Sequence, residues 1–121
     1  FRFIMKQRGG RMAKGRLLGI QFDALFTDDL YFRISRHADE MAYQIRDIFV
    51  SAGYPLLFDS PTNQQYPIMP DEELAILGKN FGYEYWERTD PTHSGVRFCA
   101  SWATTQENVD ALRAAVQALK K

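Results

Sequence analysis

Arg97 is the side chain in this sequence best placed to recognise an anion. It sits between Val96 and Phe98, so on an extended strand it points away from the apolar face that those two define. A guanidinium offers two parallel donors to a carboxylate and stays charged when partly buried. The same pattern also fits a solvent-facing strand arginine. A second group surrounds Gly9-Gly10, where Lys6, Arg8, Arg11 and Lys14 form a basic run. Glycines that permit unusual backbone angles beside positive charge suit a phosphate. A solvated basic helix face accounts for the run equally well. Gln64 and Gln65 follow a turn, and one of them is placed to face a pocket or solvent. His93 precedes the Arg97 segment in a loop, whereas His37 reads as a helix-surface residue. Cys99 is expected on the Arg97 side without a base partner, as small core filler rather than a nucleophile. Two separated histidines and one cysteine do not make a metal-ligand set.

Positioning these groups requires a framework, and apolar periodicity supplies one. Phe3 to Phe26 is helical in composition, with a stripe at Leu17, Leu18, Phe22 and Leu25. Gly9-Gly10 should break it, since each glycine costs a helix about 1 kcal/mol relative to Ala. A second helix is expected over Asp28 to Ala52, capped by Thr27 or Asp28 and buried through Ile34, Ala38, Met41, Ile45, Ile48 and Phe49. Gly53 stands where a left-handed carboxy cap belongs. Strands are expected at Tyr54–Phe58 and at Gln64–Met69, where Pro67 argues for an edge or irregular position. Pro70-Asp71 opens a short helix buried through Leu74, Leu77 and Phe81 and ended by Gly82. Tyr83–Glu87 and the alternation of Val96, Phe98 and Ala100 predict two more strands around the loop Asp90–Gly95. Thr104 and Glu107 have capping-box spacing ahead of a last helix buried through Val109, Leu112, Val116 and Leu119.

Composition narrows the function classes. The 121 residues fit one domain, and 45% apolar against 25% charged residues is a globular balance rather than a disordered one. Fifteen basic and fifteen acidic residues cancel, which disfavours a chain built to grip nucleic acid. No apolar run approaches the roughly 20 residues that span a bilayer, so no membrane partner is expected. One cysteine allows no internal disulfide and is compatible with the cytoplasm. The opening Phe1-Arg2-Phe3-Ile4-Met5 reads like the middle of a helix from a longer protein.

Three stretches, in order, resemble the low-specificity L-threonine aldolases of the β-eliminating lyase family. Lys6-Gln7-Arg8-Gly9-Gly10, continuing through Ala13-Lys14-Gly15-Arg16-Leu17-Leu18-Gly19, resembles their glycine-rich helix start. Ser60-Pro61-Thr62-Asn63-Gln64-Gln65 resembles the first hairpin of their small domain. Gly95-Val96-Arg97-Phe98-Cys99-Ala100-Ser101-Trp102 resembles the arginine strand ahead of their last helix. The family's usual GGGMRQ reads Arg8-Gly9-Gly10-Arg11-Met12-Ala13 here, which displaces the basic residue.

The resemblance implies an α+β fold: the carboxy-terminal small domain of a pyridoxal-phosphate-dependent enzyme of aspartate-aminotransferase fold. A small, mainly antiparallel sheet would be covered by helices. Residues 1–27 would be a linking helix from a large domain, and 28–121 the small domain. Activity would be cleavage of the Cα–Cβ bond of a β-hydroxy-amino acid, with pyridoxal 5'-phosphate bound mainly by the large domain. Arg97 would hold the substrate carboxylate, and Lys6, Lys14 and Arg8 would serve the cofactor, with Gln64 and His93 as further candidates. No catalytic residue is expected in this chain, because none of its lysines stands in the setting of a cofactor imine, so the chain alone should be inactive. The expected partners are the amino-terminal large domain, further copies in a homodimer or homotetramer, and a small amino-acid substrate. Another pyridoxal-phosphate-dependent β-eliminating lyase, or a non-enzymatic α+β binding module, would suit the same order of elements.

Overall fold

The computed structural model of the chain describes residues 1–11 and 14–120. Met12 and Ala13 of the glycine-rich stretch, and Lys121, lie outside the described residues. The chain divides into two compact units, Phe1–Arg33 and Ile34–Lys121.

In the first unit, helix α1 (Arg2–Gln7) is followed by helix α2 (Gly15–Phe26). The double glycine breaks the helical run as expected, and its geometry explains why two are used. Gly9 adopts φ +71°, its N–H donates to the Lys6 carbonyl (3.0 Å), and the Gly10 N–H donates to the Met5 carbonyl (2.8 Å). That pair of bonds is a Schellman cap, closing carbonyls that the last turn leaves open. A Cβ on Gly10 would stand 2.9 Å from Met5 Cγ, so the second glycine is held by space rather than by φ. No residue of α1 or α2 is buried, and Leu17, Leu18, Ile20, Phe22 and Phe26 are exposed. The rings of Phe22, Phe26, Tyr31 and Phe32 cluster locally, with centroids 5.3–6.3 Å apart.

Helix α3 (Leu30–Ser51) starts later than the sequence suggests, after a 3-10 turn at Thr27–Asp29. Thr27 does not cap it. Its hydroxyl donates back to the Asp23 carbonyl (2.6 Å), closing α2 instead. Asp28 and Asp29 take left-handed φ of 50° and 56°, a region that short polar residues tolerate. The far end behaves as expected: Gly53 has φ +85°, and the Gly53 and Tyr54 N–H groups donate to the Val50 and Phe49 carbonyls, both at 3.0 Å. Gly53→Ala is therefore expected to cost about 1 kcal/mol, seen as a melting point lowered by about 5 °C. An unchanged melting point would contradict this role.

The second unit holds the sheet. Strand β4 (His93–Cys99) is hydrogen-bonded, antiparallel, to β1 (Gln64–Gln65), β2 (Ile68–Pro70) and β3 (Glu84–Arg88). β1 faces Phe98 and Cys99, while β2 faces His93 to Gly95, in one continuous register. The two are one edge strand interrupted at Tyr66-Pro67, as the proline foreshadowed. The Pro67 carbonyl still accepts the Val96 N–H (3.1 Å). Alternation along β4 puts Val96 and Phe98 in the core, continued by Ala100. They pack with the apolar residues of α3, of α4 (Asp71–Leu77) and of α5 (Gln106–Ala118). The fold is thus α+β, a small antiparallel sheet with helices.

Four further boundaries differ from the sequence reading. Tyr54–Phe58 forms no strand; Leu56 makes an isolated bridge to Pro67, because Tyr54 is spent on the helix cap and Pro55 has no N–H. α4 stops at Leu77 rather than at Gly82, where the Tyr83 hydroxyl donates to the Leu74 carbonyl (3.1 Å) alongside the Gly78 N–H. The capping box is Thr105 with Asn108, one residue on, since Thr104 Oγ1 already accepts the Ser101 N–H (2.9 Å). β4 begins at His93, so that histidine lies on the strand and not in the loop. No helix among the described residues is long and apolar enough to cross a membrane.

Candidate functional site

The face of β4 opposite the core carries Arg97, and three strands arrange what surrounds it. Its Nη1 donates to Gln64 Oε1 at 3.5 Å, a long bond that engages the guanidinium only lightly. Gln64 Oε1 is held more firmly by the Tyr66 hydroxyl, which donates to it at 2.8 Å. On the β3 side the Arg97 Cζ lies 5.7 Å from the centroid of the Trp86 ring, a cation–π distance. Trp86 meets Tyr66 edge-on at 5.0 Å, and Tyr66 tilts against Phe58 at 4.4 Å. Arg97 Nε is buried and has no hydrogen-bond partner among the described residues. Leaving such a donor unpaired costs about 1–3 kcal/mol, an arrangement that the aromatic neighbour only partly offsets.

The Ser60–Gln65 segment builds this corner. Gln65 is 1% exposed and lies on the core side with its register partner Phe98. Its amide Nε2 donates to the Ser60 and Thr62 carbonyls at 3.2 and 3.0 Å, which ties the turn to the strand. Asn63 clamps the far end of β4 by donating to the Ala100 carbonyl (2.7 Å) while its own carbonyl accepts the Ala100 N–H (2.9 Å). With Gln65 inward, alternation sends Gln64 outward beside Arg97.

Other sequence candidates fall elsewhere. His93 is four residues along the strand, roughly 13 Å from Arg97 at about 3.3 Å per residue. Its Nδ1 lies 3.0 Å from the Asp90 carboxylate, whose pKa is lowered to about 2, first by the Thr92 N–H and further by His93. That histidine is occupied in closing the 90–93 turn. His37 is half-buried, not a surface residue: its Nε2 is 2.8 Å from the Thr104 carbonyl, joining α3 to the start of α5. Cys99 is exposed rather than a core filler, because it follows Arg97 on the outer face. Lys6, Arg8 and Lys14 are exposed residues of the first unit, whereas Arg97, Gln64 and His93 belong to the second. Among the described residues no group of three or more His, Cys, Asp or Glu is placed to hold a metal. Sequence reasoning missed Trp86, Tyr66 and Phe58. Tyr66 carries a signal, two residues after Gln64 on one strand face, and so does Trp86, two residues after Glu84, the register partner of Arg97.

The second unit is thus an α+β fold whose outer sheet face holds Arg97 between an aromatic ring and a side-chain amide. No family model matches the chain. It is 28% identical to the low specificity L-threonine aldolase of Pseudomonas sp. (strain NCIMB 10558) over 120 residues, 98% of this chain and 34% of that protein. Leishmania major threonine aldolase superposes with a TM-score of 0.88 at 33% identity, over 99% of this chain and 35% of that one. The resemblance read from the three motifs therefore holds over essentially the whole chain, which spans about a third of the length of these relatives.

Proposed function

We propose that the chain is the small domain of a pyridoxal-phosphate-dependent aldolase acting on a β-hydroxy-amino acid, threonine giving glycine and acetaldehyde. The observation that carries this reading is the half-buried Arg97, lightly bonded to Gln64 and backed by Trp86, in a chain so similar to threonine aldolases. A substrate carboxylate would meet both terminal nitrogens of the guanidinium, with Nη1 keeping its second hydrogen on Gln64. The net change is a proton leaving the β-hydroxyl, the Cα–Cβ bond breaking, an aldehyde departing and Cα gaining a proton. Pyridoxal phosphate, when bound, supplies the electron sink for that bond cleavage.

The glycine pair does not make a phosphate cradle by itself. The Gly9 and Gly10 N–H groups already donate to Lys6 and Met5 carbonyls. What Lys6, Arg8 and Lys14 offer the cofactor is side-chain charge, on residues 1–27 that would link to a large domain. That large domain, in a homodimer or homotetramer, would carry the imine lysine. Lys6, Lys14, Lys79 and Lys120 are all exposed, and none has the desolvated setting that activates an imine lysine.

Two linked assays test this. The polypeptide that carries this domain should release acetaldehyde from L-threonine in a coupled dehydrogenase assay. The 121-residue chain should give no stoichiometric borohydride-trapped pyridoxal adduct. A full-length protein inert toward threonine and other β-hydroxy-amino acids, or a single-site adduct on this chain, would refute the proposal.

A further inference from the structure

We infer that Trp86 and Gln64 are positioning residues that fix the orientation of the Arg97 guanidinium, an inference that rests on the carboxylate-binding reading of Arg97. Neither needs to touch substrate. They come from the two strands that flank β4, Gln64 from β1 and Trp86 from β3, so the arginine is held from both sides. Gln64 is itself fixed. Its Oε1 takes the Tyr66 hydroxyl at 2.8 Å and Arg97 Nη1 at 3.5 Å, using both acceptor sites of one carbonyl oxygen. Trp86 is fixed by the edge-on Tyr66 ring, so a single tyrosine braces both supports.

A free arginine has four rotatable side-chain bonds and would present its donors in many directions. Two-point recognition of a carboxylate requires the fork in one plane. The aromatic face limits the guanidinium on one side and Gln64 pulls one terminal nitrogen toward β1. The buried Nε leaves the terminal nitrogens as the outward edge. Trp86 stands two residues after Glu84, the register partner of Arg97, so alternation puts its ring on the Arg97 face.

The test uses the full enzyme with L-threonine and reads kcat and KM separately in Trp86→Leu, Trp86→Phe, Gln64→Ala and Arg97→Ala. Trp86→Leu and Gln64→Ala are expected to raise KM about fivefold, the scale of one cation–π contact or hydrogen bond. kcat should move less. Trp86→Phe should restore most of the loss, because an aromatic face remains. Support for general packing alone would lower the melting point without separating Phe from Leu in KM. As a second readout, the Arg97 Nε–H resonance of the chain should be slow to exchange in wild type and Trp86→Phe, and fast in Trp86→Leu. Wild-type KM and slow exchange in Trp86→Leu, with activity lost in Arg97→Ala, would overturn this inference and leave the functional reading intact. Full activity in Arg97→Ala would overturn both.

Discussion

Arg97→Ala is expected to reduce kcat/KM toward a β-hydroxy-amino acid by about two to three orders of magnitude in the enzyme that contains this domain. Removing one partner of a desolvated, hydrogen-bonded charge pair costs about 2–5 kcal/mol, and about 1.4 kcal/mol is a factor of ten. The middle of that range gives the expected loss. Most of it should appear in KM, since the carboxylate is held in the ground state as well as in the transition state. Arg97→Lys keeps the charge but loses the planar fork and the flat contact with Trp86, so an intermediate loss of about tenfold is expected. Melting points should change little, because Arg97 lies on the sheet face away from the core that Val96 and Phe98 enter. An amino-alcohol analogue lacking the carboxylate separates this role from a global one: its residual turnover should be the same in wild type and variant. Activity within threefold of wild type in Arg97→Ala would remove the carboxylate assignment.

The parts of this arrangement that the sequence announces are those with one buried face and a long enough repeat. The carboxy half of β4 is legible because Val96, Phe98 and Ala100 alternate with Arg97, Cys99 and Ser101, whereas its first half, His93–Gly95, does not alternate and reads as loop. α3 and α5 are legible because their apolar positions recur at three and four residues. The edge strands are short, and their existence depends on which residues β4 offers them. Nothing local distinguishes Gln64 from Gln65. Only the register, Gln64 against Cys99 and Gln65 against Phe98, decides that the second is buried and the first stands beside Arg97.

The cap of α5 is ambiguous in the sequence for a related reason. Thr104 and Thr105 are chemically alike, and Glu107 and Asn108 both suit the third helical position. Ser101 makes the choice, because its N–H donates to Thr104 Oγ1. The double glycine shows the converse. Its presence beside basic residues suggested a phosphate, yet the backbone groups that would serve one are consumed in ending α1. A local motif therefore has two readings until the hydrogen bonds of its backbone are counted.

Phe49→Ala tests the core on which the site stands. Phe49 is fully buried near the end of α3, with its ring 4.9 Å from that of Phe98 and 6.0 Å from that of Tyr54. Its carbonyl also accepts the Tyr54 N–H that ends the helix. Truncating a buried phenylalanine costs about 3–5 kcal/mol, a large share of the roughly 5–15 kcal/mol that holds a domain together. The melting point should fall by on the order of 20 °C, whereas Trp102→Ala, at a site 71% exposed, should shift it little. Phe49 packs against Phe98 from the core side, while Arg97 projects from the opposite side of the same strand. Lost activity in Phe49→Ala should therefore follow the unfolded fraction and return to within a few-fold on cooling. The loss in Arg97→Ala should persist at every temperature. A Phe49→Ala protein that is folded by circular dichroism yet still inactive when cold would mean that the two faces of β4 are coupled, and that Arg97 depends on the packing beneath it as well as on the side chains beside it.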